Sequence, residues 1–139
     1  MAENSNLNQK YLDHQKKITR ISTEIIQNAL NKTPIMINKG NVEHTVPGAE
    51  RGNINSRRVK INDLNEILSI DLENKICEAE SGVNFSDLVK ETLKFNLVPM
   101  CVSELKGITI GGAVSGCSVE SMSYKYGGYV CRCLKFNKI

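Results

Sequence analysis

The sequence predicts an α+β fold with α/β character, in which small sheets of mixed pairing are flanked by helices. Stretches with helical spacing of apolar residues alternate with short runs of β-branched residues, and a glycine-rich segment follows the last predicted strand. The length of 139 residues suits one domain. Hydrophobic residues make up 40% of the chain and charged residues 24%, which is typical of a globular protein.

The first third of the chain predicts one helix, one strand and a long loop. Residues 1–17 are polar and are predicted to form a flexible segment ahead of a domain over 18–139. Apolar residues at helical spacing predict a helix over Thr19–Leu30. The run Ile35-Met36-Ile37 predicts a strand, and the glycine and proline residues of 40–57 predict a long loop.

The middle of the chain predicts two strands with a short helical segment between them. Alternating apolar and basic residues over 58–62 favour a strand. Asp63 and Glu66 have the spacing of a capping box, which predicts one or two helical turns after Asp63. Residues 71–74 predict a turn, and 75–80 predict the second strand.

The clearest helix start in the sequence lies around Asn84. Its side chain is placed to accept a hydrogen bond as the N-cap residue, with Asp87 at the third helical position. Val83 and Leu88 have the spacing of a hydrophobic staple. Asn96 is a candidate for a left-handed cap at the end of the helix, and a further strand follows it.

The glycine-rich segment is the strongest candidate for a binding site. Gly111, Gly112 and Gly116 lie among small residues over 108–121. Because glycine has no Cβ, it lets a ligand approach the main chain closely, and such segments can direct N–H groups at phosphate. A tight turn packed in the core is the alternative. The spacing fits neither a Rossmann G-x-G-x-x-G motif nor a Walker A motif.

Three ordered stretches, over 62–71, 79–88 and 99–128, resemble a known family. The third stretch is the most specific, and its motifs are Glu104-Leu105, Thr109-Ile110-Gly111-Gly112, Gly116, Glu120-Ser121 and Lys125-Tyr126-Gly127. The chain is similar over residues 18–128 to the N-terminal flavin domain of oxidoreductases with the vanillyl-alcohol oxidase fold, the PCMH-type FAD-binding domain. The branch that it resembles contains the sterol side-chain reductases.

The resemblance implies an FAD cofactor and, in complete relatives, hydride transfer between a small-molecule substrate and the flavin. The catalytic residues are left unknown, because the substrate domain of complete relatives supplies much of the catalytic face. The main FAD-binding segment that the resemblance implies consists of Thr109, Ile110, Gly111, Gly112, Ala113, Ser115, Gly116, Cys117, Ser118, Glu120 and Ser121. The same resemblance implies, on a weaker match, that a loop containing His44, Val46 and Pro47 helps to cradle the dinucleotide.

The residues agree with this interpretation, because the Thr109 hydroxyl and the main chain of Gly111 and Gly112 offer donors that suit a pyrophosphate. Some relatives with covalent flavin carry an attaching histidine in the loop where His44 lies. The spacing around His44 does not match that motif, which favours an exposed or hydrogen-bonded loop histidine.

The sequence departs from the family pattern towards its end. Relatives commonly carry an aromatic residue followed by His-Asp where Tyr129-Val130-Cys131 stand here. Relatives also continue into a substrate domain, so we expect an incomplete FAD-binding domain that is inactive in isolation and binds FAD weakly or not at all. A non-catalytic module, pairing with another chain or with a missing C-terminal part through an open sheet edge, is the alternative function.

Composition argues against other classes of function. The net charge of +3 is too small and too dispersed for nucleic-acid binding, and no apolar run has the length of a membrane span. Five cysteines without a paired framework or an evident leader predict a cytoplasmic protein with free thiols. Cys131 and Cys133 lack the further paired ligands that a zinc site needs, so no metal is expected.

Overall fold

The computed structural model describes residues 2–39, 56–128 and 136–138, and the chain divides into two compact units, 1–64 and 65–139. The elements in chain order are α1 (Ala2–Leu30), β1 (Ile35–Asn38), β2 (Arg57–Lys60), β3 (Ile67–Asp71), β4 (Ile76–Ala79), α2 (Phe85–Leu93), β5 (Leu97–Pro99), α3 (Ile110–Ser115), α4 (Ser123–Tyr126) and β6 (Phe136–Lys138). Within these described ranges, the helices and three two-stranded sheets of mixed pairing confirm the predicted α+β class.

The first unit consists of α1 and the parallel pair β1–β2, in which Ile35 lies opposite Arg57. A small core joins the helix to the sheet, with Ile21 of α1 buried against Val59 and Leu64. At the edge of this core the Arg20 guanidinium donates to both carboxylate oxygens of Asp63, each at 2.9 Å. The predicted strand over 35–37 is confirmed as β1.

Helix α1 begins at Ala2, well before the predicted Thr19. The segment 1–17, which the sequence predicts to be flexible, is therefore helical from Ala2, and the expected division at residue 18 falls inside one helix. Polar residues with good helix propensity account for the difference, because side-chain pairs one turn apart stabilise a helix without an apolar face. Asp13 accepts hydrogen bonds from Gln9 at 3.0 Å and from Lys16 at 2.8 Å.

The second unit begins with the antiparallel hairpin β3–β4, whose register shifts between Ile67 and Ser69. The helical turns predicted after Asp63 are wrong, since β3 begins at Ile67. Glu66 pairs with Glu80 instead of forming a capping box with Asp63. The Glu66 N–H donates to the Glu80 carboxylate at 2.8 Å, and the Glu66 carbonyl accepts the Glu80 N–H at 2.9 Å. The predicted turn between the strands is confirmed, and Asp71 accepts N–H groups within it.

Helix α2 follows the sequence prediction closely. Asn84 is its N-cap and accepts the Asp87 N–H at 2.8 Å, while Val83 and Leu88 are both buried. Asn96 has a φ of 55°, which confirms the left-handed residue after the helix. The core of this unit is formed by Cys77, Val83, Phe85, Leu88, Leu97, Cys101, Ile110 and Ala113.

The remaining elements close the second unit. β5 pairs in antiparallel fashion with β6, and α2 packs against β5. Helix α3 contributes Ile110 and Ala113 to the core, so the glycine-rich segment is anchored on one face. Among the described residues, no helix combines the length and the apolar character that crossing a bilayer requires.

Candidate functional site

The glycine-rich segment forms the short helix α3 and the loop that follows it. Thr109 is the N-cap residue, with extended backbone angles, and its hydroxyl accepts the Gly112 N–H at 3.2 Å. Ile110 and Ala113 point into the core, at 8% and 0% exposure, so their side chains serve packing. Gly111 and Gly112 are half-buried, and the opposite face of the helix ends in the exposed residue Ser115.

The first N–H groups of α3 all have partners within the protein. The Ile110 N–H donates to the Val83 carbonyl and the Gly111 N–H to the Ser81 carbonyl, both at 2.8 Å. The Gly112 N–H is held by Thr109, as described above. The prediction that Gly111 and Gly112 present free N–H groups to a ligand is therefore wrong for this structure. The turn before α2 accepts the Gly111 N–H and the N-cap hydroxyl accepts the Gly112 N–H, so donors that a helix start otherwise leaves unpaired are bound within the protein.

Gly111 is required by packing. A Cβ placed on Gly111 would lie 2.8 Å from the Ser81 Cβ and 2.9 Å from the Ser81 carbonyl oxygen. Such distances do not occur between unstrained atoms, so only glycine fits where α3 meets Ser81. The close approach predicted from the sequence exists, but the approaching group is Ser81 and not a ligand.

The C-terminal end of α3 has the hydrogen bonds of a Schellman motif. The Ser118 N–H donates to the Ala113 carbonyl at 2.9 Å, and the Cys117 N–H donates to the Val114 carbonyl at 3.2 Å. The left-handed residue of the motif is Cys117, with a φ of 49°, whereas Gly116 has a φ of −86°. Cysteine thus occupies the position that glycine usually takes, and its side chain is exposed.

Open polar groups follow the helix. Ser121 is exposed, and Ser118 and Glu120 are half-buried. Among the described residues, the Ser118 and Ser121 hydroxyls and the N–H groups of Val119 and Ser121 make no hydrogen bond. These four donors form the open polar loop over 118–121, which offers what the start of α3 does not: hydrogen-bond donors that an anionic ligand can reach.

The loop over 100–107 lies beside this open polar loop. The Glu104 N–H donates to the Glu120 carboxylate at 3.4 Å, and the Cys101 thiol donates to the Gly127 carbonyl at 3.6 Å. The Ser123 hydroxyl accepts the Glu120 N–H at 2.9 Å and so helps to fix the backbone of Glu120. The loop over 100–107 is therefore joined to the open polar loop through Glu104 and Glu120, and to the residues after α4 through Cys101 and Gly127.

Ser103 is a candidate that sequence reasoning missed. Its side chain is 6% exposed, and within the part of the chain that the structure describes its hydroxyl has no hydrogen-bond partner. Buried hydroxyls are normally paired, so an orphaned one suggests a missing ligand or water. No pattern in the sequence distinguishes Ser103 from other serines, because its burial depends on long-range packing.

These groups fit the chemistry of a flavin dinucleotide. The pyrophosphate and the flavin carbonyls are hydrogen-bond acceptors. The groups at Ser103, Ser118, Val119 and Ser121 that have no partner among the described residues are donors. The predicted candidates His44, Val46 and Pro47 lie outside the described residues.

The residues that the structure describes bear on metal ligation and on the reactivity of the Cys77 thiol. They contain no group of three metal-ligating side chains. Burial, with a smaller contribution from the Glu78 carboxylate, raises the pKa of the Cys77 thiol to about 11, so this thiol stays protonated and unreactive near neutral pH.

Comparisons with known proteins agree with this chemistry. A Delta(24)-sterol reductase homologue of Caenorhabditis elegans is 31% identical over 85 residues, which cover 61% of this chain and 16% of that protein. The Delta(24)-sterol reductases of Pisum sativum and Arabidopsis thaliana are 36% and 32% identical over 69 residues, covering 50% of this chain and 12% of each relative. The chain thus matches less than a fifth of the length of these relatives. The FAD binding domain family matches residues 26–137, most of the chain, and the chain therefore belongs to the PCMH-type FAD-binding domain family, whose cofactor is FAD.

Proposed function

We propose that the chain supplies part of the FAD site of an oxidoreductase, with the open polar loop over 118–121 and the Ser103 hydroxyl as its donors. The observation that carries this proposal is the set of donors that have no partner among the described residues, within the segment matched to the FAD binding domain. In this arrangement α3 is the support and the loop after it is the contact surface.

FAD, when bound, supplies hydride transfer to or from a substrate, while the protein contributes binding and orientation. Within this chain, Ser118 and Ser121 would bind the pyrophosphate, and Thr109 would hold the start of α3 in place. Two of the relatives are named Delta(24)-sterol reductase, so a sterol is the first substrate class to test on an assembled enzyme.

A titration of the chain with FAD tests the proposal. Flavin fluorescence and visible absorbance are expected to report weak, saturable, non-covalent binding, because most of the proposed donors belong to a loop that is exposed or half-buried. Riboflavin lacks the pyrophosphate and is expected to bind less well. If the chain shows no saturable binding of FAD, the proposal is wrong. If riboflavin binds as tightly as FAD, the donors do not contact the pyrophosphate.

Two serine substitutions test the contact surface. Ser118→Ala combined with Ser121→Ala is expected to weaken FAD binding by about fivefold for each hydrogen bond lost, which corresponds to about 1 kcal/mol each. Ser22→Ala, at an exposed position of α1, is the matched control and should leave the affinity unchanged. Equal affinities of the double variant and the control would remove Ser118 and Ser121 from the site.

A second candidate function is pairing with another chain. Each of the three sheets joins two strands among the described residues, and short two-stranded sheets expose backbone groups that a further strand can pair with. Size-exclusion chromatography distinguishes the candidates: a colourless complex with a second chain favours the pairing module, and a yellow protein favours the flavin site.

A further inference from the structure

Glu80 is the one buried carboxylate of the described core, and the flavin-site chemistry above does not use it. Its side chain is 2% exposed, and it lies directly after β4. The carboxylate accepts the Glu66 N–H at 2.8 Å, while the Glu80 N–H donates to the Glu66 carbonyl at 2.9 Å. Glu66 and Glu80 are therefore joined through both backbone polar groups of Glu66, immediately before the irregular start of β3.

This pair fixes the turn over 80–83. The Val83 N–H donates to the Glu80 carbonyl at 3.1 Å, which closes the turn on Glu80 itself. The carbonyls of Ser81 and Val83 then accept the N–H groups of Gly111 and Ile110. One connected set of hydrogen bonds thus runs from Glu66, through Glu80 and the turn, to the first residues of α3.

The turn over 80–83 and α3 are in tight van der Waals contact at Ser81 and Gly111. Since a single carbon atom added at Gly111 would collide with Ser81, the helix cannot move closer to the turn. If the turn moves away, the two hydrogen bonds to Ile110 and Gly111 are lost. The position of α3, and with it the start of the loop over 118–121, depends on where Glu80 holds the turn.

We propose that Glu80 is a positioning residue for the flavin site: through its hydrogen bond to Glu66 it holds the turn over 80–83, and thereby α3, in the orientation that binds FAD. This inference rests on the proposed function for its consequence in binding. Its structural part, the dependence of α3 on the Glu80 carboxylate, can be measured without any cofactor.

Amide hydrogen exchange on the cofactor-free chain is the first test. Glu80→Ala leaves the part-buried Glu66 N–H without its acceptor and frees the turn over 80–83, so the protection of the Ile110 and Gly111 amides is expected to fall about tenfold. Amides in the middle of the β3–β4 hairpin should keep their protection. Glu78→Ala removes an exposed carboxylate from the same strand and is the matched control.

A conservative variant separates hydrogen bonding from general destabilisation. Glu80→Gln keeps an acceptor oxygen and is expected to retain most of the protection at Ile110 and Gly111. If Glu80→Ala loses protection throughout β3–β4, Glu80→Asp replaces it, and a selective loss at Ile110 and Gly111 supports the proposal. Unchanged protection at these amides in the folded variant, or a loss in Glu80→Gln as large as in Glu80→Ala, would overturn the proposal.

FAD titration of the same variants provides the second test. Glu80→Ala is expected to weaken FAD binding about tenfold and Glu80→Gln much less, although neither side chain belongs to the contact surface. If wild type and Glu80→Ala bind FAD equally, the positioning role is wrong while the FAD site stands. If the wild type does not bind FAD, the proposed function fails, and the exchange result still decides the role of Glu80.

Discussion

The two ends of α3 differ in what they offer to a ligand. At the N-terminal end, the N–H groups of Ile110 and Gly111 are bound by main-chain carbonyls of the turn over 80–83. At the C-terminal end, the chain leaves the helix through the left-handed Cys117 and reaches the open donors of 118–121. Gly111 and Gly112 lie at the closed, N-terminal end, so the glycine pair in the sequence points to N–H donors that the protein itself already binds.

The largest expected effect is a loss of stability caused by a substitution at the N-terminal end of α3. Gly111→Ala forces a Cβ against Ser81, and overpacking of this kind costs about 1–3 kcal/mol. Urea unfolding followed by far-UV circular dichroism measures the loss in the free energy of unfolding.

Two further variants check the cause of that loss. Adding Ser81→Gly to Gly111→Ala removes one of the two colliding atoms and should recover part of the stability. Gly116→Ala meets only the Gly112 carbonyl, at 3.0 Å, and should cost less than Gly111→Ala. Equal losses for the two alanine variants would mean that α3 is not tightly seated on Ser81.

Ser103 sharpens the comparison because its two expected effects have opposite signs. Ser103→Ala removes a buried hydroxyl without a partner among the described residues, so the cofactor-free chain should be unchanged or more stable by about 1 kcal/mol. FAD binding by the same variant should weaken by about fivefold, the value of one hydrogen bond. Chemical unfolding and FAD titration measure the two effects.

The stability of cofactor-free Ser103→Ala shows whether the Ser103 hydroxyl is unpaired. A marked loss of stability in cofactor-free Ser103→Ala would show that water or protein already satisfies the hydroxyl. Ser86→Ala, at an exposed position of α2, is the control for a generic serine substitution.

The smallest expected effect is a gain in stability from a substitution at the C-terminal end of α3. Cys117→Gly places glycine at a φ of 49°, where it carries no Cβ penalty, and should raise the free energy of unfolding by about 0.5–1 kcal/mol. Thermal and urea unfolding measure the change. Cys117→Ala removes the thiol but keeps the Cβ, so it should bring no such gain; a gain equal to that of glycine would attribute the effect to the thiol.

Local signals in the sequence predicted the parts of the fold that local interactions decide. Asn84 caps α2 and Asn96 takes a left-handed conformation because each requires only its immediate neighbours. The helical turns after Asp63 failed because Glu66 pairs with Glu80, fourteen residues away. Helix α1 begins well before the predicted Thr19 because side-chain pairs such as Gln9–Asp13 stabilise it where the sequence has no apolar pattern.

In the candidate site, too, the sequence predicts what depends on neighbouring residues but not what depends on distant ones. The segment 109–121 was identified from its composition and from a resemblance, and the family match includes it. Which of its donors are free could not be predicted, since the partners of Ile110 and Gly111 come from Val83 and Ser81. The burial of Ser103 likewise depends on contacts between separate loops.

The attachment of α3 to Ser81 has a consequence for which replacements the chain can accept. Ser81 is exposed and holds Gly111 through its main-chain carbonyl oxygen, a group that every amino-acid residue carries. Position 81 can therefore vary widely without loss of this bond, whereas position 111 admits nothing larger than hydrogen. Of two touching residues, the one facing solvent is free to diverge and its neighbour is not.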